Sequence, residues 1–154
     1  MKLRKTVPED LRLVMGWIEN EKACRIWAGQ GFRFPFNWDN YLEDLGFYTH
    51  ETFSLVDESE NPVGIGQIMQ RKNRLHLARI LVNPGSRGQG YGRLLCELLI
   101  TEGRSRPGNK PFSLNVYRHN RLARELYIRL GFKEPEDQSE AVSHDSVFMI
   151  LEDI

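Results

Sequence analysis

Arg87-Gly88-Gln89-Gly90-Tyr91-Gly92 is the stretch that decides the fold, because of the segments on either side of it. The preceding segment, Leu75 to Val82, is apolar and β-branched and has the length of a strand. The following segment, Arg93 to Ile100, has apolar residues at a helical period. The order is therefore a strand, a Pro84-Gly85 turn, a glycine-rich loop and a helix. Free N–H groups and the helix dipole at such a helix start favour a bound phosphate.

The spacing of the glycines separates several kinds of phosphate-binding loop. A Walker A loop would need Lys-Ser or Lys-Thr after Gly90, where this chain has Tyr91-Gly92. A dinucleotide fingerprint would need Gly or Ala at Arg93 and an acidic residue about 20 positions onward. The pattern that fits is Arg/Gln-x-x-Gly-x-Gly/Ala, which is met by Arg87, Gly90 and Gly92. For this stretch taken alone, a tight glycine-rich turn without a ligand is the alternative.

A second motif follows further along the chain, Asn120-x-x-Ala123-x-x-Leu126-Tyr127-x-x-x-Gly131-Phe132. Leu122, Leu126 and Leu130 recur at every fourth position of a predicted helix, which Asn120 can cap and Gly131 can end. Together the two motifs resemble the GNAT superfamily of acyl-CoA-dependent N-acetyltransferases. The resemblance is strong over residues 75–132 and holds in outline elsewhere.

The resemblance implies a three-layer α/β (α+β) fold, with a mixed, mostly antiparallel sheet and helices on both faces. The hydrophobic patterns predict elements in an order that agrees with it. Strands are expected at residues 2–5, 52–57, 63–70, 75–82, 112–117 and 146–151. Helices are expected after a capping box at Thr6-x-x-Glu9, over residues 21–27 (as a second helix or a continuation of the first), 38–45 and 120–130, and from the glycine loop to just before Arg104.

Composition predicts one soluble domain over residues 1–154. The chain has 154 residues, of which 40% are hydrophobic and 27% charged, with 21 basic and 21 acidic residues. This balance predicts no nucleic-acid partner, and the absence of a long apolar run predicts no membrane partner. Cys24 and Cys96 form no disulfide framework or metal cluster, so we expect no metal, a reducing cytoplasm, and a buried, unreactive Cys96.

By the same resemblance, acetyl-CoA would be the co-substrate. The backbone of Ile80, Leu81 and Val82 would pair with the pantetheine amides like an added strand, and Asn120 would bond the pantetheine arm. The loop residues would surround the pyrophosphate, namely Arg87, Gly88, Gln89, Gly90, Tyr91, Gly92 and Arg93.

Tyr127 is the expected general acid. A phenol and an alkyl thiol have pKa values of about 10 and 8.5, so proton transfer between them is not steeply uphill. In GNAT enzymes the tyrosine at this motif position often protonates the departing thiolate. The alternative is a tyrosine that packs at the edge of the core without donating a proton.

His76 is the candidate general base. Alternation along the predicted strand places His76, Ala78, Ile80 and Val82 on one face, opposite Leu75, Leu77 and Leu81. The segment also resembles the region where the serotonin N-acetyltransferase branch carries catalytic histidines, although that branch has a second histidine at the position of Ala78. If His76 takes the proton, kcat/KM should rise with pH along a limb at roughly 6 to 7.5. A structural histidine, an acidic residue or ordered water are the alternatives.

The acceptor site is expected near a crowded aromatic segment, which would line an amine pocket, fill the core or form a dimer contact. The aromatic residues of this segment are Trp27, Phe32, Phe34, Phe36 and Trp38. An acidic loop before the last strand would favour a cationic acceptor or would merely be solvated. Its residues are Glu134, Glu136, Asp137 and Glu140.

The expected function is direct transfer of acetyl from acetyl-CoA to a primary amine of a small molecule, without an acyl-enzyme, by a possible homodimer. Two alternatives are an acetyltransferase that acts on a protein N-terminus or lysine, and a non-catalytic acyl-CoA-binding module. Such a module would need the glycine loop but not Tyr127.

Overall fold

The computed structural model describes residues 1–152, so the last two residues of the expected single domain lie outside the described residues. The strands are β1 (Lys2–Lys5), β2 (Glu51–Val56), β3 (Pro62–Arg71), β4 (Arg74–Val82), β5 (Phe112–Tyr117) and β6 (Ser146–Leu151). The helices are α1 (Pro8–Trp17), α2 (Glu21–Ala28), α3 (Trp38–Leu45), α4 (Tyr91–Arg104) and α5 (Arg121–Arg129). A short 3₁₀ turn covers Pro84–Ser86. Residues 21–28 therefore form a separate second helix.

Within residues 1–152 the strands form one sheet in the order β1-β2-β3-β4-β5-β6. Neighbouring strands are antiparallel except β4 and β5, which run parallel and are joined by α4. A parallel pair needs such a crossover, and α4 supplies it. The predicted mixed, mostly antiparallel sheet is confirmed.

Each face of the sheet carries its own apolar core, which confirms the predicted helices on both faces. Residues of α4 and α5 pack on one face, around Leu77, Leu95 and Leu99. Residues of α1, α2 and α3 pack on the other face together with Ile65 and Leu81. On the first face, a Cβ atom at Gly66 would lie 2.7 Å from Leu99 Cδ1, so any larger residue there would force the Leu99 side chain to shift.

Three expectations about helix ends and faces are wrong. Thr6 does not begin a capping box, since its hydroxyl bonds Ser54 at 2.7 Å; instead the Asp10 carboxylate accepts a hydrogen bond from the Val7 N–H before α1. Asn120 precedes α5, but its side chain makes no capping bond in the described chain. Leu122 is 83% exposed, because only the later leucines of α5 reach the core.

A β-bulge at Arg79 overturns the expected strand faces. Arg79 has a positive φ of 50°, and the register between β3 and β4 shifts there. The extra residue inverts the alternation of side chains. Ile80 therefore packs on the α4 side with Leu77, while Leu81 packs on the α1 side, so His76 and Ile80 do not share a face.

Candidate active site

A cleft opens where β4 and β5 separate. Only Leu75 and His76 of β4 pair with β5 in the described residues, on Phe112 and Ser113. Past this point the bulge turns β4 away, and the Trp27 indole N–H donates to the carbonyl oxygen of Arg79 at 2.9 Å. The result is a cavity of about 660 Å³ between the two strands, covered by α1 and α2 and closed below by α5.

One wall of the cavity is the strand segment that sequence reasoning assigned to the pantetheine arm. Ile80, Leu81 and Val82 all line it. In residues 1–152, none of them pairs with β5. Their free backbone edge inside the sheet is a template on which an extended, amide-containing chain can add as a strand.

The glycine loop lies at the end of this wall. Arg87 lines the cavity, whereas residues 88–93 lie outside its lining, with Tyr91 and Gly92 half-buried and the others exposed. Gly88 and Gly90 have φ values of 79° and 82°, the left-handed region that glycine adopts without strain. Helix α4 begins at Tyr91, so its first N–H groups lie free at the end of the helix that adjoins the loop. The Arg93 guanidinium bonds Glu97 at 3.0 Å instead of reaching back toward the loop.

Tyr127 lines the cavity from α5 and is only 9% exposed. Its ring packs edge-on against Phe132, at a centroid distance of 6.0 Å. Burial, and secondly the nearby Cys96 thiol, raise the pKa of Tyr127 above its ordinary value. The phenol therefore keeps its proton at neutral pH. Burial also raises the pKa of Cys96 to about 12, so this cysteine stays a buried thiol, as predicted.

Two asparagines line the same cavity. Asn120 at the start of α5 leaves its side-chain amide free of any capping role. Asn115 of β5 has both side-chain amide atoms, Nδ2 and Oδ1, buried and without a hydrogen-bond partner within the described residues. A buried amide without partners costs free energy, and its place in the cavity lining puts it where a bound molecule can supply the missing hydrogen bonds.

His76 lines the cavity but is only 4% exposed. Its Nδ1 lies 2.8 Å from Ser113 Oγ, which also accepts a hydrogen bond from Arg74 Nε. Burial, followed by the positive charges of Arg71, Arg74 and Arg79, lowers the pKa of His76 to about 3. The expected limb of the pH profile at roughly 6 to 7.5 is therefore wrong for the free protein.

The sequence model of the acetyltransferase (GNAT) family matches residues 16–132, which include both motifs and both walls of the cleft. The chain belongs to this family. Its enzymatic class is therefore N-acetyl transfer, and the α/β fold predicted from the two motifs is the family's fold.

Solved structures of other GNAT enzymes share the fold at low sequence identity. Spermidine N-acetyltransferase from Vibrio cholerae, solved with CoA and spermine, is 22% identical over 97% of this chain and 94% of its own, with a TM-score of 0.77. A dodecameric structure of spermidine N-acetyltransferase from Vibrio cholerae has a TM-score of 0.68 and is 20% identical over 97% of this chain and 92% of its own. The ribosomal-protein-S18-alanine N-acetyltransferase from Escherichia coli has a TM-score of 0.68 and is 21% identical over 97% of this chain and 92% of its own.

The GNAT chain places its aromatic segment mostly in the core. Of its five residues only Trp27 lines the cavity. The Phe32, Phe36 and Trp38 rings contact Tyr41, and the Phe34 ring contacts Phe36. The acidic loop also lies outside the cavity lining: Glu134 bonds Arg124, and Glu140 bonds Lys72 and Arg74. The loop therefore does not supply the negative acceptor site that its charge suggested.

Sequence reasoning missed several polar residues of the cleft, among them Arg71, Arg79 and Asn115. Asn115 and Arg79 carry one available signal, since each is a polar residue inside an otherwise apolar strand. Arg71 carries none, because only the β3–β4 hairpin brings it to the cleft.

No helix within residues 1–152 is long and apolar enough to cross a membrane.

Proposed function

We propose that this GNAT enzyme transfers an acetyl group from acetyl-CoA directly to the primary amine of a small molecule. The observation that carries the proposal is the cleft between β4 and β5, which has a free strand edge on one wall and Tyr127 on another. The Vibrio cholerae neighbour solved with CoA and spermine supports a small amine as the acceptor. The Escherichia coli ribosomal-protein acetyltransferase makes a protein N-terminus the second candidate.

Acetyl-CoA would lie along β4, with its pyrophosphate at the glycine loop and its pantetheine arm on the edge of Ile80 to Val82. The backbone N–H groups at the start of α4 and the dipole of that 14-residue helix would hold the phosphates. Arg87 is the residue of this loop that lines the cavity, and its guanidinium would bind the pyrophosphate. Asn120 would bond the pantetheine arm near the thioester.

Tyr127 would then protonate the departing thiolate. The amine attacks the thioester carbonyl, the carbon–nitrogen bond forms, the carbon–sulfur bond breaks, and the phenol proton passes to sulfur. Burial raises the pKa of Tyr127, but a thiolate leaving in the same apolar site is desolvated too, so its affinity for the proton also rises. The two groups stay matched closely enough for proton transfer.

His76 is the proposed acceptor of the amine proton. An alkylamine with a pKa near 10 is about one part in a thousand neutral at pH 7, a handicap of roughly 4 kcal/mol. A neutral imidazole in the cavity can take up the proton as the carbon–nitrogen bond forms. With a pKa of about 3, His76 is neutral over the whole physiological range, but it is a weak base until its positive neighbours are compensated.

The lowered pKa of His76 predicts a pH-dependent stability. An unfolded histidine titrates near 6.5, so the unfolded state binds more protons than the folded state between about pH 6.5 and pH 3. Stability is full above this window and falls as the pH drops through it. From pH 7 to pH 5 the wild type should lose roughly 2 kcal/mol more unfolding free energy than His76→Gln. Urea denaturation at the two pH values measures this difference, and parallel losses would contradict it.

The same variant tests catalysis. His76→Gln keeps a hydrogen-bonding side chain but cannot take up a proton, so kcat should fall about ten- to a hundredfold at pH 7. Because the free protein has no histidine limb near neutral pH, the rise of kcat/KM with pH should follow only the acceptor amine. Equal kcat in both proteins would assign the proton to water.

Asn115 is proposed to bind the acceptor. It lies two residues beyond Ser113 on β5 and so faces the same side of the sheet as His76. Asn115→Leu should raise KM for the acceptor about tenfold, because a hydrogen bond is lost, with little change in acetyl-CoA affinity. It should also raise the unfolding free energy by roughly 1 to 3 kcal/mol, because a buried amide without partners is removed. Steady-state kinetics and urea denaturation check the two effects, and a destabilised variant with unchanged KM would refute the role.

The experiment that tests the proposed function is a screen of amine acceptors with acetyl-CoA, in which released thiol is measured. The screen contains small amines, a peptide with a free N-terminus and a peptide with an internal lysine. Turnover confined to small amines supports the proposal. Turnover of peptides alone favours the second candidate, and acetyl-CoA binding without any turnover would reveal a binding module.

A further inference from the structure

The charged residues that line the cavity are positive. Arg71, Arg79 and Arg87 are among its lining residues, and the described lining contains no aspartate or glutamate. Arg87 lies at the cofactor loop. Arg71 precedes β4, eleven residues before Val82, and the strand alone spans roughly 25 Å at ~3.3 Å per residue. Arg71 therefore lies at the end of the cleft away from the expected pyrophosphate.

Arg71 and Arg79 have no ion-pair partner within residues 1–152. The nearby carboxylates form ion pairs with other residues: Glu140 with Lys72 and Arg74, and Asp44 with Arg33 at 2.8 Å. The polar contact of the Arg71 guanidinium is Met69 Sδ, at 3.8 Å. Arg71 is exposed at the end of β3. Burial, and secondly the charge of Arg71, lower the pKa of Arg79. The positive charges are therefore close to one another.

The Arg79 guanidinium is held by hydrogen bonds that use only some of its N–H donors. Its Nη1 donates to the carbonyl oxygen of Leu45 at 3.2 Å and to Gln67 Oε1 at 2.8 Å, and its guanidinium carbon lies 5.5 Å from the Phe32 ring centroid. The Trp27 indole fixes its backbone at the bulge. Its Nε is buried without an acceptor in the described chain. Arg79 as a whole is half-buried, and a buried donor atom without an acceptor costs free energy that a bound anion would offset.

We infer that the acceptor amine also carries a carboxylate, which binds between Arg71 and Arg79, so that the substrate class is a small aminocarboxylic acid. This inference rests on the proposed function and narrows it. A planar carboxylate matches the fork of donors on a guanidinium. Trp17, Ile26 and Trp27 form an apolar wall of the same cavity, which suits an acceptor with an apolar side chain. A polyamine would bring two or more positive charges to a site that already holds two.

Binding of the carboxylate would also prepare the proton acceptor. Arg71 and Arg79 are two of the three arginines whose charge lowers the pKa of His76, and the third, Arg74, is already paired with Glu140. A carboxylate between them compensates their charge and raises the proton affinity of the imidazole. The amine of an aminocarboxylate would thus meet a stronger base than a simple amine would.

The test uses acceptor pairs that differ only by the carboxylate, phenylalanine against phenethylamine, with spermidine as a third acceptor. We expect kcat/KM for phenylalanine to exceed that for phenethylamine about tenfold to a hundredfold, with spermidine the poorest. Arg71→Gln and Arg79→Gln should each reduce this ratio toward one. Lys72→Gln, which removes a positive charge from the same hairpin but outside the cavity lining, should keep it.

The two ideas fail in different ways. Equal turnover of phenylalanine and phenethylamine, or a preference for spermidine, overturns the inference and leaves the proposed function standing. Absence of thiol release with every acceptor overturns the proposed function. Calorimetry on the CoA-loaded protein then decides the inference by itself: phenylalanine should bind about tenfold more tightly than phenethylamine in the wild type and not in Arg71→Gln. Equal binding in the wild type overturns it.

Discussion

Gly92→Asp is expected to weaken acetyl-CoA binding by about a hundredfold or more, the equivalent of roughly two charge-assisted hydrogen bonds. The new carboxylate would stand at the start of α4, where the proposed pyrophosphate meets the helix N–H groups, and would repel it. A Cβ at Gly92 meets Leu126 and Val82 at 3.7 and 3.8 Å, which are ordinary contacts, so the fold should persist. Isothermal titration calorimetry with acetyl-CoA measures the loss.

Gly92→Asn is the matched control, because it has the same shape without the charge. Its affinity for acetyl-CoA should fall about tenfold or less, since the substitution places no anion near the phosphates. Gly90→Asp and Gly90→Asn form a second pair, in which both members carry the strain of φ 82° and differ only in charge. Unchanged affinity in folded Gly92→Asp would remove the phosphate from this loop.

Tyr127→Phe should lower kcat by on the order of ten- to a thousandfold, with acetyl-CoA affinity nearly unchanged. The variant keeps the ring that packs against Phe132 and removes only the proton donor. In this variant, water that reaches the site could still protonate the thiolate, so part of the rate would remain. Steady-state kinetics with a saturating acceptor, together with calorimetry for acetyl-CoA, separates the chemical step from binding.

The pH profile gives a further check on Tyr127. Because burial raises the pKa of this phenol, wild-type kcat should not decline through ionisation of the tyrosine below about pH 10. The aromatic neighbour Phe132 has no hydroxyl, so it cannot replace Tyr127 as the proton donor. Full activity in Tyr127→Phe would leave this residue as a packing residue and assign the thiolate proton to solvent.

Local sequence patterns predicted the elements that carry the cofactor side of the cleft. The glycines before α4 need backbone conformations that few other residues adopt, and the motif around Tyr127 places small and apolar residues at a helical spacing. These signals lie within a few residues of each other, so they can be read without knowing the fold. Strand β5 and helix α3 were predicted with their bounds, Phe112–Tyr117 and Trp38–Leu45.

The bulge at Arg79 was not predictable in the same way. An alternating pattern assumes that each residue advances the strand by one step, and the segment around Arg79 contains no glycine or proline to signal an interruption. One positive φ angle therefore moved Ile80 to the opposite face from His76. The same bulge opens the cleft between β4 and β5, so the candidate site depends on a feature that the alternating pattern could not predict.

The charges that line the cavity could also not be predicted from the sequence. The acidic loop lies next to β6 in the chain, yet Glu134 pairs with Arg124 and Glu140 pairs with Lys72 and Arg74 outside the cavity lining. The arginines that line the cavity away from the glycine loop, Arg71 and Arg79, come from β3 and β4 and are eight positions apart with no motif around them. Ion pairs between distant segments decide which charges face a cleft, and a local charge run does not reveal them.

Acetyl transfer without an acyl-enzyme is the central claim, and mass spectrometry of the protein and its products tests it most directly. With isotopically labelled acetyl-CoA and the best acceptor of the amine screen, the label should appear on the amine nitrogen in equal amount to the released CoA. The mass of the protein should stay unchanged when it is mixed with acetyl-CoA alone. Label found on the protein, or free CoA formed without any acetylated amine, would contradict the account.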